Sequence, residues 1–249
     1  MSDKPHSPYP YLLRVILRKI FPDSLYRQYI GRHEDGSLHL WQHLALKVTY
    51  GKAILDIGAY RGVYALAARK VNQEALIFAF EPNPFSVQEL KNACLGKRIE
   101  VIATAVGERN GTVTFLCSGA GSRIIKPNNT QSENISIIQT ISLDNWCEKR
   151  SVIPSIIKID AEGAEASILL GAKLVLTNYL PIILCEVLSD SAGSEVMAVL
   201  PSMYMFYSID ENSKSISKKA KISRLNWRNK NWLLVPKGQE TTLDQSTLR

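Results

Sequence analysis

The chain has 249 residues, 45% hydrophobic and 21% charged, which suits one soluble α/β domain with added segments. Its 30 Lys and Arg against 23 Asp and Glu leave a net charge of +7. The basic residues are spread along the chain, however, and charge alone does not argue for nucleic acid. The densest group, Lys214, Lys218, Lys219, Lys221 and Arg224, reads as a solvated loop before a phosphate or membrane contact. The four cysteines form no CxxC pair, so neither a zinc site nor a redox dithiol is suggested. The polar start (Met1 to Pro10) and the charges at Arg14, Arg18 and Lys19 argue against a signal peptide and a spanning helix. A cytoplasmic protein is expected, and the glycosylation-like triplets at Asn128 and Asn134 are read as incidental.

In chain order, apolar residues at helical spacing from Tyr9 to Ile20 predict an amphipathic helix that Pro22 ends. It is expected to pack on the domain or on a second copy of the chain, with a membrane surface as the lesser alternative. A second helix is expected through Leu38 to Val48. Strands are expected at Ala53 to Ile57, Leu76 to Phe80, Ile99 to Ala105, Thr112 to Leu116, Ile137 to Ile141, Ile156 to Ile159, Ile182 to Val187, Met205 to Ile209 and Trp232 to Val235. Helices are expected over VYALAARK, from Pro84 to about Leu95, in a short piece capped by Asp144, and from Ala164 to Leu176. This alternation predicts a mostly parallel sheet with helices on both faces. The chain is therefore divided into a helical extension over 1–50, an α/β domain over 51–237, and a polar, frayed tail over 238–249.

The chemistry is expected at the strand ends. The first strand runs into Asp56-Ile57-Gly58-Ala59-Tyr60-Arg61-Gly62. Gly58 permits a sharp turn and close approach to a ligand, and Gly62 lets the next helix pack close to the strand. The loop is not the GxGxxG dinucleotide fingerprint, because Asp56 replaces its first glycine. An acid there repels a pyrophosphate but suits a ligand with an amino group, such as the methionine moiety of S-adenosylmethionine. Glu81 ends the second strand, where a doubly wound fold places a ribose-binding acid able to accept from both hydroxyls. Ala105 and Val106 are expected to line the adenine. Ala59, Tyr60, Tyr64, Pro82 and Asn83 complete the expected cofactor set. A turn residue and a solvated strand end are the bland alternatives for Asp56 and Glu81, but their pairing at successive strands favours the cofactor. Asp160 and Glu162 leave the next parallel strand where the transferred methyl group should sit. Their expected task is to orient a substrate hydroxyl, accept its proton, or hold the cofactor's positive end. Glu165 begins the following helix in a capping role.

These segments resemble the FkbM-type methyltransferases. ILDIGAYRGVYALAA resembles the family's cofactor loop, FAFEPNPFSVQELKNA its ribose strand and helix, and ATAVGERNGTVTF its adenine segment and added strand. ISLDNW, IIKIDAEGAEASILLGA, PIILCEV and NWLLVPK follow in the family's order, with KIDAEGAE the most specific. The resemblance covers about Ala53 to Pro236. It implies a Rossmann-like class I methyltransferase fold and O-methylation of a hydroxyl on a sugar, lipid or natural product. Tyr60 departs from the asparagine usual in the family.

Other signals are weaker. His33, His39 and His43 are read as surface or core residues before a general base. The stretch from Ser118 to Arg123 is read as a loop over the site, with Arg123 a candidate for an acidic substrate. No metal is expected, although Asp160, Glu162 and Glu186 are the acids that would gather round magnesium. An N-methyltransferase for a small amine and a non-catalytic cofactor-binding module are the alternatives. A nucleic-acid enzyme is disfavoured, because no NPPY- or DPPY-like motif is present.

Overall fold

The computed structural model describes residues 35–117, 121–125, 135–224, 226 and 229–243. The expected Tyr9 to Ile20 helix, His33, Asn128 and Asn134 lie outside the described residues.

Two sheets organise the chain. The first half consists of α1 (Asp35–Leu46), β1 (Ala53–Ile57), α2 (Val63–Val71), β2 (Leu76–Phe80), α3 (Pro84–Cys94), β3 (Ile99–Ile102), β4 (Ala105–Val106), β5 (Gly111–Leu116) and β6 (Arg123–Ile124). There follow β7 (Ile135–Ile141), α4 (Leu143–Arg150), β8 (Pro154–Ile159), α5 (Glu165–Leu170), α6 (Lys173–Asn178), β9 (Ile182–Glu186), α7 (Asp190–Val199), β10 (Tyr204–Asp210), β11 (Ser215–Lys219) and β12 (Asn231–Pro236). The large sheet has the order β11-β10-β12-β9-β8-β1-β2-β3, and a four-stranded sheet has the order β4-β7-β5-β6. From β3 through β2, β1 and β8 to β9 the large sheet is parallel, whereas β12, β10 and β11 are antiparallel. The central strands are fully buried apolar runs, as sheets covered on both faces require. One core layer gathers Phe78, Phe80, Trp146 and Ile157, and the other gathers Trp41, Leu44, Ala65 and Leu233. Helix α1 thus belongs to the body of the domain, with Trp41 Nε1 donating to the Tyr64 carbonyl at 2.9 Å. No helix among the described residues is long and apolar enough to cross a membrane.

Several elements differ from expectation. The third strand stops at Ile102, and Ala105–Val106 pairs with β7 in the small sheet, because the chain changes sheets after the Thr104 turn. The helix expected from Ala164 to Leu176 is broken at Gly171. Its Cα packs on the Gly107 carbonyl so closely that a Cβ would lie 2.1 Å from that oxygen. Asp144 does not cap its own helix, since Ser142 does. The Asp144 carboxylate instead accepts from Leu174 N at 3.1 Å and Val175 N at 2.9 Å, capping α6 from outside. Lys218 and Lys219 lie in the edge strand β11 rather than a loop. Beyond Lys237, Glu240–Thr242 form a 3₁₀ turn and Leu243 is buried.

Candidate cofactor cleft and methyl-transfer site

The carboxyl ends of β1, β2 and β8 open into one cleft. Ligands of open α/β sheets bind at this edge. The turn after β1 is held by Gly58 N and Ala59 N donating to the Phe80 carbonyl at 3.0 and 2.9 Å. Gly58 sits at φ +76°, and a Cβ there would lie 1.8 Å from the Asp160 carbonyl. The glycine therefore serves first to let the Asp160 loop approach, and only then a ligand. Asp160 N closes the same junction by donating to the Ile57 carbonyl at 3.0 Å. Gly62, at φ +75°, would drive a Cβ to 2.6 Å from Leu90 Cδ1. It makes room for α3 rather than for the packing of α2 on the strand, and it does not line the cleft.

Glu81 does more than face a ligand. Its Oε2 accepts from Tyr60 N and its Oε1 from Asn83 N, each at 2.8 Å. The first bond secures Tyr60 in a left-handed conformation, φ +48°. Burial lifts the Glu81 carboxyl to about 7, against the pull of those two amides. Each oxygen accepts one amide and keeps a lone pair for a ribose hydroxyl. Asn83 does not line the cleft; its Oδ1 caps α3 at Phe85 N (3.0 Å) and its Nδ2 donates to Ser122 Oγ at 2.8 Å. That bond ties the large sheet to the β6 end of the small one. Phe115 and Ile124 of the small sheet and Ser122 before β6 line the cleft, as do Ala105 and Val106. Arg123 is exposed and does not line the cleft, nor do His39 and His43.

Asp56 is 1% exposed, and burial raises its carboxyl to about 6, opposed mainly by Lys158. Its Oδ2 accepts from Ala65 N at 2.9 Å, while Oδ1 has no hydrogen-bond partner among the described residues. A buried acceptor left over beside a cleft fits a cationic donor such as the ammonium of a bound methionine moiety. Tyr64 also lines the cleft, its ring 4.5 Å from the Lys158 ammonium.

At the other end, Asp160 and Glu162 line the cleft, and Lys158 Nζ donates to Asp160 Oδ2 at 3.0 Å. Glu162 adopts φ +51° and Gly163 φ +100°. The buried Glu165 carboxylate stabilises this loop by accepting from Ala161 N and Gly163 N, both at 3.1 Å. Its capping role is thus exerted on the loop before the helix. Oxygens of Asp160, Glu162 and Glu186 lie within 4.8 Å of one another. Lys158 pairs with the first and Lys230 with the third, so two of the three acids already have an ammonium partner. Lys158 was missing from the expected set. A lone charge inside the apolar run IIKI was the signal that could have found it.

A parallel sheet extended by antiparallel β12 and β10, with acids at the ends of β1, β2 and β8, defines a Rossmann-like class I methyltransferase. The sequence model of the Methyltransferase FkbM domain matches residues 56–206. The chain belongs to the FkbM family of S-adenosylmethionine-dependent methyltransferases. A crystal structure of methyltransferase FkbM from Methylobacillus flagellatus is similar over 91% of this chain, with TM-score 0.52 and 16% identity. The match spans 59% of that protein's length. Fibrillarin from Aeropyrum pernix, solved with natively bound S-adenosylmethionine, matches 80% of this chain and 76% of its own, with TM-score 0.46 and 12% identity. No curated protein matches the sequence.

Proposed function

We propose that the chain transfers the methyl group of S-adenosylmethionine to a hydroxyl oxygen of a small-molecule or glycan acceptor. The observation that carries this reading is Asp160. It is fixed to the β1 turn through Ile57, paired with Lys158, and opens into the same cleft as Asp56 and Glu81. When bound, the cofactor supplies an electrophilic methyl on a positively charged sulfur. Asp56 would take its ammonium, Glu81 its ribose, and Ala105 and Val106 the apolar face of its adenine. Tyr60 and Pro82 also line the cleft. Asp160 accepts the hydroxyl proton as the new C–O bond forms, and Glu162 orients the acceptor. A cytoplasmic protein without nucleic-acid partners accords with this reading. A pair of carboxylates also suits an amine acceptor, and the product decides between the two.

The test is S-adenosylhomocysteine release over a panel of glycosides, hydroxylated lipids and small amines, comparing the wild type with Asp160→Asn and Glu162→Gln. A general base contributes about 10²–10⁴-fold, so at least one variant should lose turnover on that scale while retaining S-adenosylhomocysteine binding. Full turnover per folded molecule in both variants refutes the assignment, and methylation confined to amines refutes the hydroxyl acceptor.

A further inference from the structure

Lys158 is the one charged residue of strand β8, flanked by isoleucines and exposed by only 3%. A lysine ammonium at that depth persists only where partners repay its desolvation. Parallel pairing sets Asp56 of β1 directly opposite Lys158 of β8, so both side chains project from the same face. Two residues further along the same strand direction, Asp160 receives the ammonium at 3.0 Å. From α2, the Tyr64 ring offers its face 4.5 Å away. One cation therefore meets an acid from the adjoining strand, an acid from its own loop and an aromatic face from the helix above. Glu81 lies beyond Asp56, Cys185 of β9 and Glu165 of α5 are also titratable neighbours, and Glu162 and Glu186 cluster with Asp160, Glu186 being paired with Lys230.

We propose that Lys158 is a positioning residue of the cleft: seated on Tyr64, its ammonium holds Asp56 charged toward the cofactor's ammonium and Asp160 aimed at the acceptor. This rests on the cofactor placement proposed above. Without Lys158, Asp56, Asp160 and Glu81 repel one another in a site of low polarity, and Asp56, already lifted to about 6 by burial, takes up a proton more readily. The ammonium then does for this acidic cleft what a divalent cation does elsewhere.

The experiment is calorimetric titration of the full chain with S-adenosylhomocysteine between pH 5 and 9. In the wild type, affinity falls as pH drops, first through Glu81 near 7 and then through Asp56 near 6, and comparison with Asp56→Asn isolates the Asp56 midpoint. In Lys158→Met that midpoint should rise by about one pH unit or more. Affinity at pH 5 then falls about tenfold against the wild type, while at pH 9 the two agree within about threefold. Tyr64→Leu removes the ring face without touching a charge and should move the midpoint the same way by less, whereas Tyr64→Phe should leave it in place. Should Lys158→Met fail to fold, the Tyr64 pair decides alone. Asp56→Asn separates the two layers of the argument. If it leaves the wild-type profile intact, the cofactor placement is wrong and the proposal falls with it. If it abolishes the Asp56 limb while Lys158→Met and Tyr64→Leu leave the midpoint unmoved, the role of Lys158 alone is overturned.

Discussion

Glu81 should make cofactor binding a proton-linked event. Its carboxyl is buried, accepts two backbone amides at 2.8 Å, and is raised to about 7 by desolvation. A ribose can donate two hydroxyls only to the ionised form, so binding should expel the proton that the ligand-free protein partly holds at neutral pH. Well below 7 each pH unit costs about 1.4 kcal/mol, and with the group already half protonated at pH 7, affinity for S-adenosylhomocysteine should fall roughly 50-fold between pH 7 and 5 from this group alone. In calorimetry at pH 7 with buffers of different ionisation enthalpy, roughly half a proton should be released per ligand bound, given a pKa near the working pH. Glu81→Gln should abolish the release and weaken binding by about 2–4 kcal/mol through two charge-assisted bonds. It should also destabilise the fold, because glutamine offers an NH₂ to one of two amides that each need an acceptor. That loss is about 1–3 kcal/mol. Stability has its own pH dependence: the folded pKa lies above the ordinary 4.5, so the contribution of Glu81 is complete below about 4.5 and is lost as pH rises through 7. The part lost is on the order of 3 kcal/mol. Flat affinity from pH 5 to 8 with no proton release would refute the placement of the ribose.

Gly58→Ala should cost about 2–5 kcal/mol in urea unfolding, combining left-handed strain with a clash on the Asp160 carbonyl, which is backbone and cannot swing aside. Wild-type stability would show that the Gly58–Asp160 approach is looser than it is drawn. Asp144→Ala should remove the external cap of α6 and cost about 0.5–2 kcal/mol, with S-adenosylhomocysteine affinity unchanged. Circular dichroism melts check the first half and calorimetry the second. Magnesium titrated alone should give no binding heat, because Lys158 and Lys230 already pair with two of the three clustered acids. Saturable heat that disappears in Asp160→Asn would contradict this.

The legible parts of the chain were those whose local pattern and tertiary role agree. Strands β1 and β2 fall at the expected bounds, since a short apolar run closed by an acid or glycine has few alternatives in a covered sheet. Helix α7 escaped notice because DSAGSEVMAV buries little apart from Gly193 and Val196. Strand β11 reads as a charged loop because edge strands carry lysine on purpose, against aggregation. The break at Gly171 depends on Gly107, far away in sequence, and the cap that Asp144 gives to α6 likewise spans thirty residues. Asp56, Glu81 and Asp160 could be read from strand ends alone. The amides that Glu81 binds, the ammonium beside Asp160 and the lining by Phe115 and Ile124 could not, because each arises where separate elements meet.

Charge conservation unites these features. The chain carries +7 overall, yet the cleft gathers Asp56, Glu81, Asp160 and Glu162 around the buried Lys158. S-adenosylmethionine would bring into this acidic cleft a positive charge that its thioether product lacks, so these acids would hold the reactant more tightly than the product. In the proposed step Asp160 would take the hydroxyl proton, and lose its negative charge, as that positive charge is lost. The net charge of the cleft is therefore the same before and after the step, and little reorganisation is demanded of a buried site. Protonated Asp160 is left beside an ammonium, the neighbour that most weakens a carboxyl's hold on its proton. The same lysine that steadies the acid before transfer thus favours return of the proton to solvent after it, and Asp160 is ready for the next cycle without a second base.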